Sequence, residues 1–202
     1  MLYKPVYIFM GEKMNKRNSI ITSAATLFQQ KGVNAVGIKD ILTASQVPKG
    51  SLYYYFPNGK REIIIAAIND VGKDLCTNVA KQLQTSSDWD ISFHNLISGM
   101  VESLQQTNCV GSWSLSLMVL ETAQDQQLNK LCHQIVIKLS NLYAKKLQSL
   151  SISSELASRL GLIIQSNLEG ALMTSVALKD SVPLLLIEEQ ISQLVRSVIN
   201  EH

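Results

Sequence analysis

The chain has 202 residues, of which 46% are hydrophobic, 6% aromatic and 17% charged, and its net charge is +2. A chain of this length and composition buries the core of one or two domains, which excludes an intrinsically disordered protein. Its four prolines and ten glycines lie between stretches with helical periodicity, so we expect an all-α fold. Three widely spaced cysteines indicate neither a disulfide framework nor a zinc site. We therefore expect a cytoplasmic protein without metal or cofactor.

The first residues do not resemble an export signal. The apolar run at residues 6–10 is too short for a signal peptide, and no cleavage site of the A-x-A type follows it. We expect residues 1–13 to form a disordered leader, with Met1 and Met14 both open as the natural start. No apolar run reaches the roughly 20 residues that span a bilayer.

Charge is distributed unevenly along the chain. Residues 1–71 carry nine basic and four acidic side chains, a net charge of +5, whereas the remainder carries −3. A basic head on a mildly acidic body favours a polyanionic partner for the head alone. Ordinary surface charge explains the same division, so charge by itself leaves both interpretations open.

Three short helices are predicted in the basic head. The first runs from Asn15 to a glycine at position 32 that ends it, the second covers residues 38–45, and the third runs from Pro48 to Tyr55. Two short helices joined by a tight turn, with a longer helix packed behind them, form a helix-turn-helix whose second helix enters the DNA major groove. The alternative is a three-helix bundle with no role in nucleic-acid binding.

The third predicted helix contains three consecutive tyrosines, which helical geometry cannot bury together. Leu52 and Phe56 are four residues apart and form the inward face. Tyr53 and Tyr54 lie round the side, next to Lys49, where a phenol can pack against sugar and donate its hydroxyl to a phosphate. The outward tyrosines therefore indicate a DNA contact.

The segment IKDILTASQVPKGSLYYYFPNGKREII resembles the signature region of the tetracycline-repressor (TetR) family, over about residues 16–70. The family's Lys-Gly-x-Leu-Tyr-x-x-Phe core is matched by Lys49, Gly50, Leu52, Tyr53 and Phe56. This resemblance implies that the DNA surface comprises Lys49, Gly50, Ser51, Tyr53, Tyr54 and Lys60. Gly37 and Ile38 stand where many members have a phosphate-binding Thr or Ser, which leaves Lys39 as a substitute donor. We add Lys16 as a further basic DNA contact.

Longer helices are predicted for the rest of the chain. The first is an amphipathic helix over Lys60–Gln84, and the others lie near residues 90–106, 112–123, 126–148, 153–179 and 184–199. We expect residues 14–59 to form the helix-turn-helix DNA-binding domain. Residues 60–202 would form a larger helical domain for effector binding and dimerisation.

The final two predicted helices carry wide apolar arcs, which indicates that more than one face of each is buried. In the resembled family two such helices form a four-helix dimer interface. The residues expected at this interface are Leu168, Leu172, Ile191 and Leu194. Burial inside a monomer is the alternative explanation.

An effector pocket is expected between the helices of the body, because ligand sites in helical bundles are apolar with a few placed polar groups. Its candidate residues are Met100, Trp113, Leu117, Met118, Glu121, Tyr143, Asn167 and Met173. For any one of them, ordinary core packing is the better explanation. The stretch NCVGSWSLSLMVLETA is similar to a subgroup of the family that regulates drug-resistance and aromatic-compound genes, which implies an apolar or aromatic effector.

Motifs of catalysis are lacking in this sequence. It has no HExxH, Ser/His/Asp, P-loop or GxGxxG pattern, so we do not expect an enzyme. The sequence instead predicts a ligand-responsive repressor, a homodimer on a palindromic operator that a small molecule releases. The alternative function is a DNA-bound adaptor whose C-terminal body binds a protein partner.

Overall fold

The computed structural model describes residues 15–106 and 115–200, and all regular structure within them is α-helical. The helices are α1 (Lys16–Lys31), α2 (Ile38–Ser45), α3 (Lys49–Tyr55), α4 (Lys60–Leu83), α5 (Trp89–Gln106), α6 (Leu115–Thr122), α7 (Gln126–Gln148), α8 (Ser154–Leu178) and α9 (Val182–Asn200). The predicted all-α fold is confirmed. The expected leader and Trp113 lie outside the described residues.

Local chemistry fixes the helix ends. The Asn15 side chain caps α1 by accepting the Arg17 N–H at 3.2 Å, and the Ser153 hydroxyl caps α8 in the same way. Gly32 ends α1 with φ 79°, in a region that L side chains rarely adopt. Pro48 is the N-cap of α3 rather than its first residue. These caps explain why the predicted and observed helices nearly coincide.

The described residues form two compact units. The first contains residues 15–73 and 115–132, and the second contains residues 74–106 and 133–200. The chain passes from one unit to the other within α4 and within α7. The domain boundary between residues 59 and 60 stays a prediction, because the compact units divide α4 after Lys73. The start of α4 groups with the first unit because Ile63, Ala67 and Ile68 are buried.

In the first unit, α1 packs on α2 and α3. Apolar side chains with at most 1% exposure form its core; they are Ile20, Ala24, Phe28, Val36, Ile41, Leu52, Phe56, Ile63, Ala67, Ile68 and Met118. Burial of these side chains supplies the main driving force for packing three helices as short as these. This core sets the orientation of α3.

In the second unit, α9 packs on α8 and on α5. Its most buried apolar residues are Phe93, Ile97, Leu139, Leu147, Ala157, Ile164, Leu184, Ile191 and Val195. A Cβ at Gly161 in α8 would lie 2.3 Å from the Ser140 carbonyl oxygen in α7, so only glycine permits this close approach of the two backbones. Across the part of the chain that the structure describes, no helix combines the length and the apolarity needed to cross a membrane.

Candidate nucleic-acid interface

The connection between α2 and α3 forms a tight turn. Gln46 ends α2 in the left-handed conformation, with φ 54° and ψ 29°, which reverses the chain within one residue. Val47 follows with 7% exposure and anchors the turn in the core. Pro48 then caps α3. Together these elements make the helix-turn-helix that the sequence predicts.

Helix α3 has a buried face and an exposed face. Leu52 is fully buried, and Phe56 at the C-cap is 1% exposed. Beside this buried face, Lys49 is exposed, and Tyr53 and Tyr54 expose 41% and 79% of their surfaces. At 100° per residue, these exposed side chains and Gly50 fall within one arc of about 140°. The arc joins a cation and two phenols, which can contact phosphate and sugar.

Gly50 lies within this exposed face. A Cβ at this position would have no neighbouring heavy atom from the described residues within 4 Å. Contacts among the described residues therefore do not require glycine at this position. Glycine nevertheless lowers helix stability by about 1 kcal/mol relative to alanine. Close approach by DNA at this glycine stays a prediction.

The other residues expected at DNA differ in exposure. Lys16 at the start of α1 and Lys39 in α2 are exposed, whereas Ser51 and Lys60 are half-buried. Tyr55 is half-buried, and its ring meets that of Tyr54 edge to face at a centroid distance of 5.0 Å. This contact orients the most exposed tyrosine of the helix.

The start of α2 is held by its own third residue. Asp40 accepts the Gly37 N–H at 2.7 Å, so its carboxylate satisfies a backbone donor that precedes the helix. Gly37 itself has no side chain with which to cap the helix or bind phosphate. Lys39 stays exposed beside this turn, as a substitute phosphate contact requires.

Arg17 is a residue that the sequence analysis did not single out. Its guanidinium lies 5.4 Å from the centroid of the Phe56 ring, within the range of a cation–π contact. The contact joins the start of α1 to the end of α3. An Arg next to Lys16 is the sequence signal, but the aromatic partner 39 positions later is visible only in the fold.

The residues expected at an effector site fall in both compact units. Leu117, Met118 and Glu121 belong to the first unit, and Met100, Tyr143, Asn167 and Met173 belong to the second. Met118 is fully buried, and burial raises the pKa of the Tyr143 phenol well above its usual range. Met173 is 39% exposed. Glu121 has a different partner, since both of its carboxylate oxygens lie 3.2 Å from the Val33 N–H.

The residues expected at a dimer interface differ in how exposed they are in the single chain. Leu168 and Ile191 are only 3% and 1% exposed in the single chain, so they pack in its own core and leave almost no surface for a partner. This favours the alternative of burial inside a monomer, and their place at a dimer interface stays a prediction. Leu172 and Leu194 are half-buried.

A groove of about 740 Å³ lies between α8 and α9, and Asn167 is among the residues that line it. The large apolar side chains exposed on these two helices are Leu162, Ile163, Met173, Leu178, Val182, Leu185 and Leu186. These exposed residues differ from those predicted at the dimer interface. On a helix, residues one turn apart point the same way, whereas the residues next to them point in other directions. Within residues 15–106 and 115–200, no three His, Cys, Asp or Glu side chains are placed to hold a metal ion.

Comparison with known sequences identifies two matched regions. Residues 20–67 match the family described as bacterial regulatory proteins, tetR family, and residues 91–190 match the C-terminal domain of LmrA/YxaF-like transcriptional regulators. The chain is 35% identical to the HTH-type transcriptional regulator YxaF of Bacillus subtilis, over 93% of this chain and 98% of that protein. It is 27% identical to the HTH-type transcriptional regulator LmrA of the same organism, over 90% and 97% of the two chains.

Solved structures share the fold. A TetR transcriptional regulator from Legionella pneumophila matches with a TM-score of 0.73 at 21% identity, over 92% of this chain and 99% of that chain. A TetR-family regulator from Cytophaga hutchinsonii matches with a TM-score of 0.77 at 18% identity, over 93% and 98%. The arrangement of helices is therefore common to proteins whose sequences have diverged widely.

Proposed function

The chain belongs to the TetR family and is a transcriptional regulator, and on that premise we propose that it is a repressor that binds a palindromic operator as a homodimer. A regulator of this family binds DNA and is not an enzyme. We place its action in the cytoplasm, where bacterial DNA lies. A small apolar or aromatic molecule would release it from the operator.

The observation that carries the proposal is the exposed face of α3. Lys49, Tyr53 and Tyr54 stand outward, while Leu52 and Phe56 fix the helix from behind. A buried anchor of this kind holds the outward side chains in a constant orientation, which sequence readout in the major groove requires. Lys49 adds charge attraction to phosphate at the start of the helix.

The homodimer is supported by the apolar surface of α8 and α9. Leu178 and Leu186 expose 65% and 59% of their surfaces and flank a groove that is mainly apolar. Contiguous apolar surface of this kind marks an interaction site in soluble proteins. A second copy related by a two-fold axis would cover the same surface on both chains and would match a pseudo-palindromic operator.

The apolar or aromatic effector is supported by the interior of the second unit. The ring centroids of Trp89 and Phe93 are 6.4 Å apart, and those of Phe93 and Tyr143 are 6.1 Å apart. All three residues are buried. An aromatic compound finds suitable edge and face contacts beside such a series.

Calorimetry tests the effector directly. An aromatic compound that releases a fluorescent operator duplex is titrated into the free protein and into the protein bound to that duplex. We expect it to bind the DNA complex about 5- to 150-fold more weakly, because a coupling between two sites is reciprocal. If every tight ligand binds both states equally, the repressor is not ligand-responsive and the adaptor function takes its place.

A further inference from the structure

Glu121 in α6 is bonded to the connection that follows α1. The Val33 N–H donates to Oε1 and Oε2 of Glu121, each at 3.2 Å, across 88 residues of sequence. Val33 is 5% exposed, so its N–H has little access to water as an alternative acceptor. A buried donor left without an acceptor is costly, and a charged acceptor forms the stronger kind of hydrogen bond.

The backbone at Gly32 is shaped to admit this carboxylate. A Cβ at Gly32 would lie 2.4 Å from Oε1 of Glu121, closer than a carbon and an oxygen can approach. The φ of 79° at the same residue turns the chain out of α1. Glycine at position 32 therefore serves two purposes, because it ends the helix and leaves space for the Glu121 side chain.

A second link joins the segment after α6 to the start of α4. The Arg61 guanidinium forms an ion pair with Asp125 and also donates to Oε1 of Gln127 at 3.1 Å. The Asp125 carboxylate raises the pKa of Arg61. Both links lie within the first compact unit, which contains α6 as well as the helix-turn-helix.

The connection that Glu121 holds leads directly into α2. Only six residues separate the end of α1 from the start of α2, and Val33 and Val36 anchor them in the core. A change at Val33 therefore shifts α2, and α3 follows after a turn of three residues. Displacement of a site by about 1 Å is enough to lose precise contacts.

We propose that Glu121 is a positioning residue for DNA binding: by accepting the Val33 N–H it fixes the connection between α1 and α2, and through it the placement of α3. The inference rests on the operator binding proposed above. It replaces the effector-contacting role that the sequence predicts for this side chain.

The direction of the change in DNA affinity distinguishes the positioning role of Glu121 from a purely electrostatic effect. Removal of a carboxylate from a DNA-binding unit strengthens DNA binding if charge alone matters, because phosphate is anionic. Loss of positioning weakens it. Glu121→Ala removes the acceptor and the charge together, whereas Glu121→Gln keeps one acceptor oxygen at nearly the same size, removes the charge and replaces the second oxygen with an NH2 group.

The test measures binding to a duplex enriched by the wild-type chain from a random library, by fluorescence anisotropy across a salt series. We expect Glu121→Ala to bind about 5- to 10-fold more weakly with an unchanged salt slope, since Glu121 contacts no phosphate. Glu121→Gln should restore most of the affinity. Glu102→Ala, which removes an exposed carboxylate from α5, is the charge control and should bind as the wild type does.

A second variant distinguishes loss of positioning from loss of folding. Gly32→Ala pushes a Cβ into the carboxylate and also strains the backbone at φ 79°, so only the part of its effect on operator affinity that comes from the carboxylate should disappear in a Glu121→Ala background. Equal or tighter binding by folded Glu121→Ala would overturn the positioning role, and so would a lowered melting temperature with unchanged affinity. A wild-type chain that enriches no duplex would overturn the proposed function and this inference with it.

Discussion

Gly50 is the position of α3 at which DNA binding and folding make opposite demands. The site has a helical backbone with no described heavy atom within 4 Å of an added Cβ, so alanine fits without strain. Helix propensity favours alanine there by about 0.5–1 kcal/mol. A partner that approaches the backbone closely would instead exclude the methyl group.

Gly50→Ala should therefore raise the free energy of unfolding by about 0.5–1 kcal/mol and weaken operator binding. Urea unfolding and anisotropy measure the two quantities on the same variant. Gly99→Ala is the matched control, because Gly99 in α5 is also exposed with open space around its Cα. It should stabilise the protein similarly and leave DNA affinity unchanged. Tighter operator binding by Gly50→Ala would refute close approach at this residue.

Residue assignments succeed where local geometry decides them. Helical spacing alone distinguishes buried Leu52 from exposed Tyr54, and the structure confirms that distinction. The bond between Glu121 and Val33 could not be predicted, because no local pattern relates two residues 88 positions apart. The sequence leaves two explanations open for Leu168, since an apolar residue looks the same in sequence whether its own chain or a partner buries it.

At the scale of elements, helix bounds were largely predictable because caps and breakers are local. Asn15, Gly32, Pro48 and Ser153 all lie at helix ends in the structure. Which helices pack against each other could not be predicted from the sequence. The packing of α9 on both α5 and α8 depends on side chains that are distant in sequence, so periodicity indicated a buried face but not its partner.

Asp90 joins α5 to α9 and makes that pairing sensitive to pH. Its Oδ1 accepts the Ser192 hydroxyl at 2.7 Å, and its Oδ2 accepts an Arg196 N–H at 2.6 Å. The Ser192 hydrogen bond is the main reason that the pKa of Asp90 lies below its usual 3.8, and the Arg196 guanidinium adds to it. A carboxyl whose pKa is lower in the folded state stabilises the fold above pH of about 4, and this contribution is lost as pH falls through the folded-state pKa.

Asp90→Asn should lower the free energy of unfolding by up to about 1 kcal/mol at pH 7, since partly exposed pairs are screened by solvent. The difference from the wild type should narrow between pH 7 and pH 3, as pH falls below 3.8 towards the lowered folded-state pKa of Asp90. Urea unfolding of both proteins at the two pH values measures it. Ser192→Ala should remove most of the pH-dependent part, and a difference that stays constant between pH 7 and pH 3 would count against this linkage.

At the scale of the whole molecule, we expect dimerisation to depend on the exposed side chains of α8 and α9. Leu186→Glu should dissociate the dimer while each chain stays folded, because a charge would enter an apolar contact while leaving the protomer core intact. Sedimentation velocity and circular dichroism measure the two effects.

Two further variants serve as controls for Leu186→Glu. Ile91→Glu changes a side chain on α5 that is 51% exposed, so it should leave the dimer intact. Leu168→Glu should unfold the chain, since Leu168 is 3% exposed within one protomer. A Leu186→Glu protein that stays dimeric would place the interface elsewhere.

In the proposed repressor, two copies of α3 read DNA together from a symmetric dimer. Selection of duplexes from a random library by the full chain, followed by sequencing, measures this most directly. We expect an inverted repeat whose half-sites are centred about one helical turn apart or a multiple of it, roughly 34–36 Å per turn. A library that enriches no sequence, or a single half-site without its symmetric partner, would contradict the claim.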